Sequence, residues 1–329
     1  MEALLLDRSD VTARPLREDG RLPLVVRPVR TGLEAGPFLR ANRADIDHLL
    51  LQHGAILFRG FSIDSVERFE VVVQALTNEA LAYEYRSTPR ERLGNATYTA
   101  SEYPAVHTIP MHCENAYQRD WPTKILFACA RAPQSGGQTP LADMIAVSSR
   151  LSSGCFDSFR TKGVAYLRNY HEGLDLSWRN VFQTESRKEV GVICRRLEID
   201  FEWVDGERLR TRQLAQGVAR HHALNQAIFF NQAHLFHVSS LGRETADALI
   251  ETFGLDDLPR HACFGDRSEI PSAQLTEIRA AFDAEKVHFD WQQGDVLLVD
   301  NMQVAHGREP FAGDRLILAS LCDAYSKCR

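Results

Sequence analysis

Apolar residues follow two rhythms along this chain. Val66, Phe69, Val73 and Leu76 recur at spacings of three and four, which predicts a helix over residues 65–76 with one buried face. Val296-Leu297-Leu298-Val299 instead runs unbroken, entered through Gly294-Asp295 and left through Asp300-Asn301, which predicts a buried strand ending in a turn. Shorter strand patterns cover residues 22–29, 55–59, 164–170, 201–204 and 228–231. A strand and a Gly-Gly turn fill 125–141, and 289–300 returns to core strands. Helical patterns cover 38–52, 142–151, 185–197, 243–253 and 272–286. Residues 81–110 are polar, aromatic-bearing and poorly periodic, which predicts a loop at a site entrance and makes it a candidate lid. There is no internal repeat and no low-complexity linker.

Composition narrows the class. With 329 residues, 44% hydrophobic and 25% charged, the chain can bury a sizeable core. A formal net charge of -6 gives no basic footprint for nucleic acid. The 33 Arg against 5 Lys reflect genome composition rather than function. No apolar stretch approaches the ~20 residues that span a bilayer. Ala3-Leu4-Leu5-Leu6 is cut short by Asp7 and Arg8, which argues against a signal peptide, so the expected location is the cytoplasm. Seven cysteines form no C-x-x-C pair, which argues against a disulfide framework and a zinc knuckle and predicts reduced thiols.

The candidate chemistry lies at His112-Cys113-Glu114 and, far downstream, at His306 within Asn301-Met302-Gln303-Val304-Ala305-His306-Gly307-Arg308. In an extended strand residues i and i+2 share a side, so His112 and Glu114 are placed to grip one ion while Cys113 points away. His306 follows the buried strand and is the third candidate ligand. Two neutral imidazoles and one carboxylate hold ferrous iron on one face and leave the opposite face open for a cosubstrate and oxygen. With 12 His in the chain, His-x-Glu alone carries little weight. Pro133-Gln134-Ser135-Gly136-Gly137-Gln138-Thr139-Pro140 and Arg315 add to it. Arg315 opens the apolar run Leu316-Ile317-Leu318-Ala319, and a buried guanidinium requires an anionic partner, which a dicarboxylate cosubstrate supplies. Ligands at both ends of the sequence, many short strands and a few helices predict a mixed α+β, mainly β fold. It is a double-stranded β-helix (jelly roll, cupin-like) with flanking helices. One domain spans 1–329, and a long insertion over about 150–285 builds the substrate pocket.

Over most of its length the chain resembles the TauD/TfdA family of Fe(II)- and 2-oxoglutarate-dependent dioxygenases, and within it the SyrP-like branch of secondary-metabolite hydroxylases. The segments that carry the resemblance are His112-Cys113-Glu114, Ser135-Gly136-Gly137-Gln138-Thr139, Tyr166-Leu167-Arg168-Asn169-Tyr170, Leu176-Ser177-Trp178, Val181-Phe182-Gln183-Thr184, Phe230-Asn231-Gln232-Ala233-His234 and Trp291-Gln292-Gln293-Gly294-Asp295-Val296. The stretch from Asp300 to Arg315 matches best. The resemblance implies that His112, Glu114 and His306 ligate iron. It implies that Arg315, helped by Thr139, binds the distal carboxylate of 2-oxoglutarate, with Arg308 as the alternative anchor. Many relatives carry Asp where Glu114 stands, and Glu is an accepted alternative. Because Glu114 fills the position that related halogenases open to chloride, the resemblance argues against halogenation. It implies that 2-oxoglutarate and O2 become succinate and CO2 while the substrate is hydroxylated. That substrate is an amino acid, free or tethered to a carrier protein, in specialised-metabolite (antibiotic) biosynthesis.

Other residues carry competing readings. His234 is expected to line the pocket and His237 to satisfy a local hydrogen bond, rather than the two forming a metal pair. His221-His222 reads as surface. Arg195-Arg196 and the series Arg208, Arg210, Arg212 read as solvated faces before docking sites for an acidic carrier. The amides of Asn231 and Gln232 follow Ile228-Phe229-Phe230 and need partners if buried, either a bound amino acid or structural bonds. Thr108 faces the substrate or its own strand, and Trp178 reads as core. Desaturation, cyclisation and sulfonate-type cleavage stay open within the enzyme class, as does a non-catalytic jelly-roll protein binding a metabolite or metal. The oligomeric state stays open as well.

Overall fold

A computed structural model describes residues 6, 9–83, 85, 90–100 and 103–326. Its largest sheet has seven strands in the order Val11–Pro15, Leu24–Pro28, Ala55–Phe58, Val296–Asp300, Asp120–Arg131, Leu316–Ser326 and Tyr98–Thr99. All neighbours are antiparallel except Leu24–Pro28 beside Ala55–Phe58. The uninterrupted apolar run at 296–299 is explained by burial on both faces. Phe58, Leu126, Val296 and Leu298 face a layer of helices, where Phe38, Ile46, Phe69 and Val72 cover them. Leu57, Ile125, Leu297 and Val299 face inward, against Leu141, Val304 and Trp291. A one-residue slip would exchange those two sets, so the register is strongly specified.

The inner wall is a three-stranded antiparallel sheet of Ile109–His112, Val304–Arg308 and Leu141–Asp143, and together the two sheets make the double-stranded β-helix. Between Leu141–Asp143 and Val296–Asp300 the chain leaves the barrel. It builds a four-stranded antiparallel sheet in the order Ile199–Val204, Arg208–Ala215, Val164–Asn169, Arg260–Phe264, packed with helices into an apolar cluster that also takes in Met111, Cys113 and Met302 of the barrel side. Among the described residues no helix is long and apolar enough to cross a membrane.

The helix expected over 65–76 is Val66–Leu76, started by Ser65, whose hydroxyl accepts from the Arg68 N–H. The helix expected over 38–52 is two, Ala35–Ala41 and Arg43–His53, parted at Asn42, whose side-chain amide donates to Phe38 O at 2.8 Å. The strand Arg208–Ala215 was not foreseen. Its inward Leu209, Thr211 and Gln213 alternate with arginines that form ion pairs: Arg208 and Arg210 with Asp257, Arg210 also with Glu202, and Arg212 with Asp200. Val11–Pro15, Ser153–Lys162 and Arg260–Phe264 were likewise missed. His221, expected at the surface, is 1% exposed and bonds Asp300 at 2.9 Å. Among the described residues the six cysteines are free thiols, while Cys328 and the Ala3-Leu4-Leu5 stretch lie outside the described residues.

Candidate active site

Strand pairing removes the long sequence separation between the two histidines. His112 and His306 are direct cross-strand partners, with ring centroids 4.6 Å apart. Their outer ring nitrogens and the Glu114 carboxylate come together, with all three potential ligand atoms within 4.8 Å of one another. Pro110 O accepts from His112 Nδ1 at 2.8 Å, which turns Nε2 toward the cluster. Burial lowers the pKa of His112. It drives that of His306 well down, aided by the neighbouring His112 and Arg90. Both rings are therefore held neutral, the form that ligates a metal. Two neutral imidazoles, one carboxylate and an open cavity beside them fit ferrous iron.

Glu114 does not lie on the same strand as His112. Ile109–His112 ends at His112, and a turn follows in which Asn115 is left-handed at φ 56. Cys113 is buried in the apolar cluster beneath, as the alternation anticipated. The Glu114 carboxylate is gripped by the Arg90 guanidinium at 2.6 Å, both side chains being nearly inaccessible. Burial opposes the charge of Arg90, but Glu114 and nearby tyrosines outweigh it and raise its pKa. Phe127 on the outer sheet packs against His306 at 5.1 Å and closes the barrel side.

The same cavity extends from the triad to Thr139, Arg308 and Arg315. Arg315 donates from Nε to Gly137 O at 3.1 Å, while burial and the neighbouring Arg308 press its pKa down to about 10. An anion placed there would restore it. Gly137 has φ +69, and a Cβ would sit 3.0 Å from Arg315 Cδ, so this approach requires glycine. The Thr139 hydroxyl accepts from Trp291 Nε1 at 3.0 Å and keeps its own proton to donate. Arg308 is committed elsewhere. Nη1 donates to Tyr103 O, and Nη2 to Pro104 O and His107 O, all at 2.6–2.7 Å, so Arg308 ties the 103–107 loop to the barrel strand that carries it.

The expected substrate residues separate. Gln232 lines the cavity, and its amide donates to Cys113 O at 2.6 Å. Asn231 is spent on structure: its amide donates to Gly217 O at 2.7 Å and its carbonyl accepts from Ala233 N. His234 lies outside the cavity lining. Its Nε2 donates to Met111 O at 2.9 Å, its ring packs on Phe282, and burial lowers its pKa to about 4. Thr108 is exposed and also outside the lining. His237 makes its local bond to Ser239, and Trp178 is packed edge-on against Trp203.

Two arginines lining the cavity were missed. Arg90 came from the aperiodic loop. Arg260 came from the unforeseen strand, where it sits opposite Arg168 and pairs with Asp175. No motif surrounds either in a chain this rich in arginine. Asp175, the partner of Arg260, immediately precedes Leu176-Ser177-Trp178, and this adjacency is the one sequence signal that points to Arg260.

A jelly-roll barrel with two histidines and a carboxylate converging at its mouth is the frame of the iron(II)- and 2-oxoglutarate-dependent dioxygenases. The chain belongs to one such group, the taurine catabolism dioxygenase TauD, TfdA family, which matches residues 24–322. It is 42% identical over 309 residues to the dapdiamide synthesis protein DdaC of Enterobacter agglomerans, covering 91% of this chain and 94% of that one. A clavaminate synthase-like protein of Arabidopsis thaliana is 27% identical, covering 98% of this chain and all of its own length. Among solved structures PvcB of Pseudomonas aeruginosa superposes with a TM-score of 0.57 at 18% identity, over 98% of this chain and 94% of its own. PvcB is described as an Fe, alpha-ketoglutarate dependent oxygenase from an isonitrile synthetic pathway. At that identity the likeness shows the fold.

Proposed function

We propose that the enzyme hydroxylates an amino acid, free or carried on a carrier protein, in the biosynthesis of a specialised metabolite. In this reading 2-oxoglutarate, O2 and a substrate C–H become succinate, CO2 and a C–OH, with one oxygen atom going to each organic product. The convergence of His112, Glu114 and His306 on a cavity that also holds Arg315 and Thr139 carries it. These three side chains hold the iron, and bound iron supplies the redox chemistry that activates oxygen. Arg315 meets the distal carboxylate of 2-oxoglutarate with a planar fork that Lys cannot reproduce, and Thr139 donates to the same group. Trp291 fixes the Thr139 hydroxyl, and Arg308 holds the 103–107 loop in place.

The substrate end is lined by Leu235, Phe236, Gln232 and Arg260. A short apolar stem bearing a carboxylate suits this mixture, and DdaC is named for a biosynthetic pathway. Residues 150–285 form the insertion that shapes this end within a single domain, and the cytoplasm is the setting. The arginines at 208, 210 and 212 are matched by acidic partners, which favours free amino acids over an acidic carrier docked on that face. The test incubates purified protein with ferrous iron, 2-oxoglutarate, oxygen and a panel of amino acids and aminoacyl carriers. One member should drive succinate formation and gain one oxygen atom. A panel giving no substrate-dependent succinate overturns the substrate assignment.

A further inference from the structure

We infer that Asn301 is a positioning residue for the carboxylate corner of the iron site. The inference rests on the reading of His112, Glu114 and His306 as the ligands. Glu114 stands beyond the end of its strand, with a left-handed residue after it, so no regular ladder of strand bonds sets its place. Asn301 takes over that task. Its Oδ1 accepts from Glu114 N at 2.7 Å, and its Nδ2 donates to Glu114 O at 2.9 Å and to Pro122 O at 2.8 Å. One planar amide thus reads both the N–H and the C=O of the ligand residue, as a neighbouring strand would.

Asn301 is itself fixed. It is 0% exposed, and its backbone N–H donates to Thr123 O at 3.0 Å. It opens the turn between Val296–Asp300 and Val304–Arg308, the strand that delivers His306. A single side chain therefore ties the carboxylate ligand to the segment bearing a histidine ligand. From the other side, the Gln232 amide holds the preceding peptide through Cys113 O. The Arg90 ion pair orients the carboxylate, whereas Asn301 places the backbone from which it projects.

An Asp at 301 keeps an acceptor for Glu114 N but turns lone pairs against two buried carbonyl oxygens, which lose their donor. Ligand-supporting hydrogen bonds of this kind typically govern metal affinity by ~10–100-fold. Asn169 provides a matched comparison. It is 2% exposed, its amide donates to Asp256 O and Leu258 O, its carbonyl accepts from Arg210 Nε, and it lies on the insertion sheet.

The experiment is an anaerobic Co(II) titration of wild type, Asn301→Asp and Asn169→Asp, followed by d–d absorption. Circular dichroism gives the folded fraction, and thermal unfolding is run alongside. Both variants should melt earlier, and only Asn301→Asp should bind Co(II) about 10–100-fold more weakly with an altered band. If Asn301→Asp is recovered unfolded, Asn301→Ser, which keeps an uncharged acceptor, is read by the same criterion. Wild-type affinity and spectrum in the folded Asn301 variant would overturn the inference alone. A wild-type protein that takes up no Co(II) would overturn the ligand reading and the inference with it.

Discussion

The end of the cavity that holds the triad, Thr139 and Arg315 is made from barrel strands and the turns beside them, whereas the far end is made from the insertion, and the two are constrained in different ways. At the barrel end, His112 and His306 are register partners, Gly137 is imposed by its contact with Arg315, and Thr139 is oriented by Trp291. At these positions backbone geometry and donor chemistry point to the same residue. At the insertion end, Leu235, Phe236 and Arg260 form a wall that other residues could form as well. On the proposed function, the barrel end would define the class of reaction and the insertion end would choose what reacts.

Substitutions at each end should separate that division of labour. The largest effect is expected at Arg315. Losing one partner of a buried charge pair costs about 2–5 kcal/mol, so Arg315→Ala should raise the 2-oxoglutarate requirement by about 30-fold or more. Arg308→Ala should chiefly loosen the 103–107 loop. An unchanged 2-oxoglutarate requirement in Arg315→Ala, with a raised one in Arg308→Ala, would exchange their roles. Arg260→Leu should raise the KM for the organic substrate by about tenfold, an order-of-magnitude figure for one charged contact at a partly open site. Its 2-oxoglutarate requirement should stay at the wild-type level. Steady-state kinetics with each substrate varied in turn would reveal any leakage between the two ends.

A change in stability rather than in kinetics is expected at His234, which packs outside the cavity lining. Burial lowers the His234 pKa to about 4, against about 6.5 in an unfolded chain. Between those values the unfolded chain binds the proton and the folded one does not, so stability falls as the pH drops through that window and levels off below it. The loss is about 3 kcal/mol in all. His234→Gln can still donate to Met111 O but cannot titrate, so its denaturant midpoint should fall less steeply from pH 6.5 to 4. Parallel profiles for the two proteins would remove His234 from this account.

The same contrast explains what could be read from the sequence. The convergence of the triad, Thr139 and Arg315 was legible because their residue types and spacing fit one chemistry, and the buried strand at 296–300 because both its faces are covered. Glu114 was placed on the wrong local structure. The i, i+2 rule gave the correct side, but the strand stops at His112 and Asn301 replaces the ladder, a long-range bond that no local pattern signals. His221 looked polar-flanked and exposed because its partner Asp300 comes from a distant strand. Arg208–Ala215 was hidden by outward arginines whose alternation is that of a strand. Arg90 left no local trace and Arg260 only that of its partner Asp175, since the significance of both comes from the cavity they line.

The central claim is that His112, Glu114 and His306 form one open metal site adjoining the 2-oxoglutarate corner. It is tested most directly by adding ferrous iron and 2-oxoglutarate to the protein without oxygen and recording the visible spectrum of wild type and His306→Ala. The account predicts a weak charge-transfer band in wild type and none in the variant. A wild-type protein without the band, or a folded His306→Ala that shows it at full strength, would contradict the account.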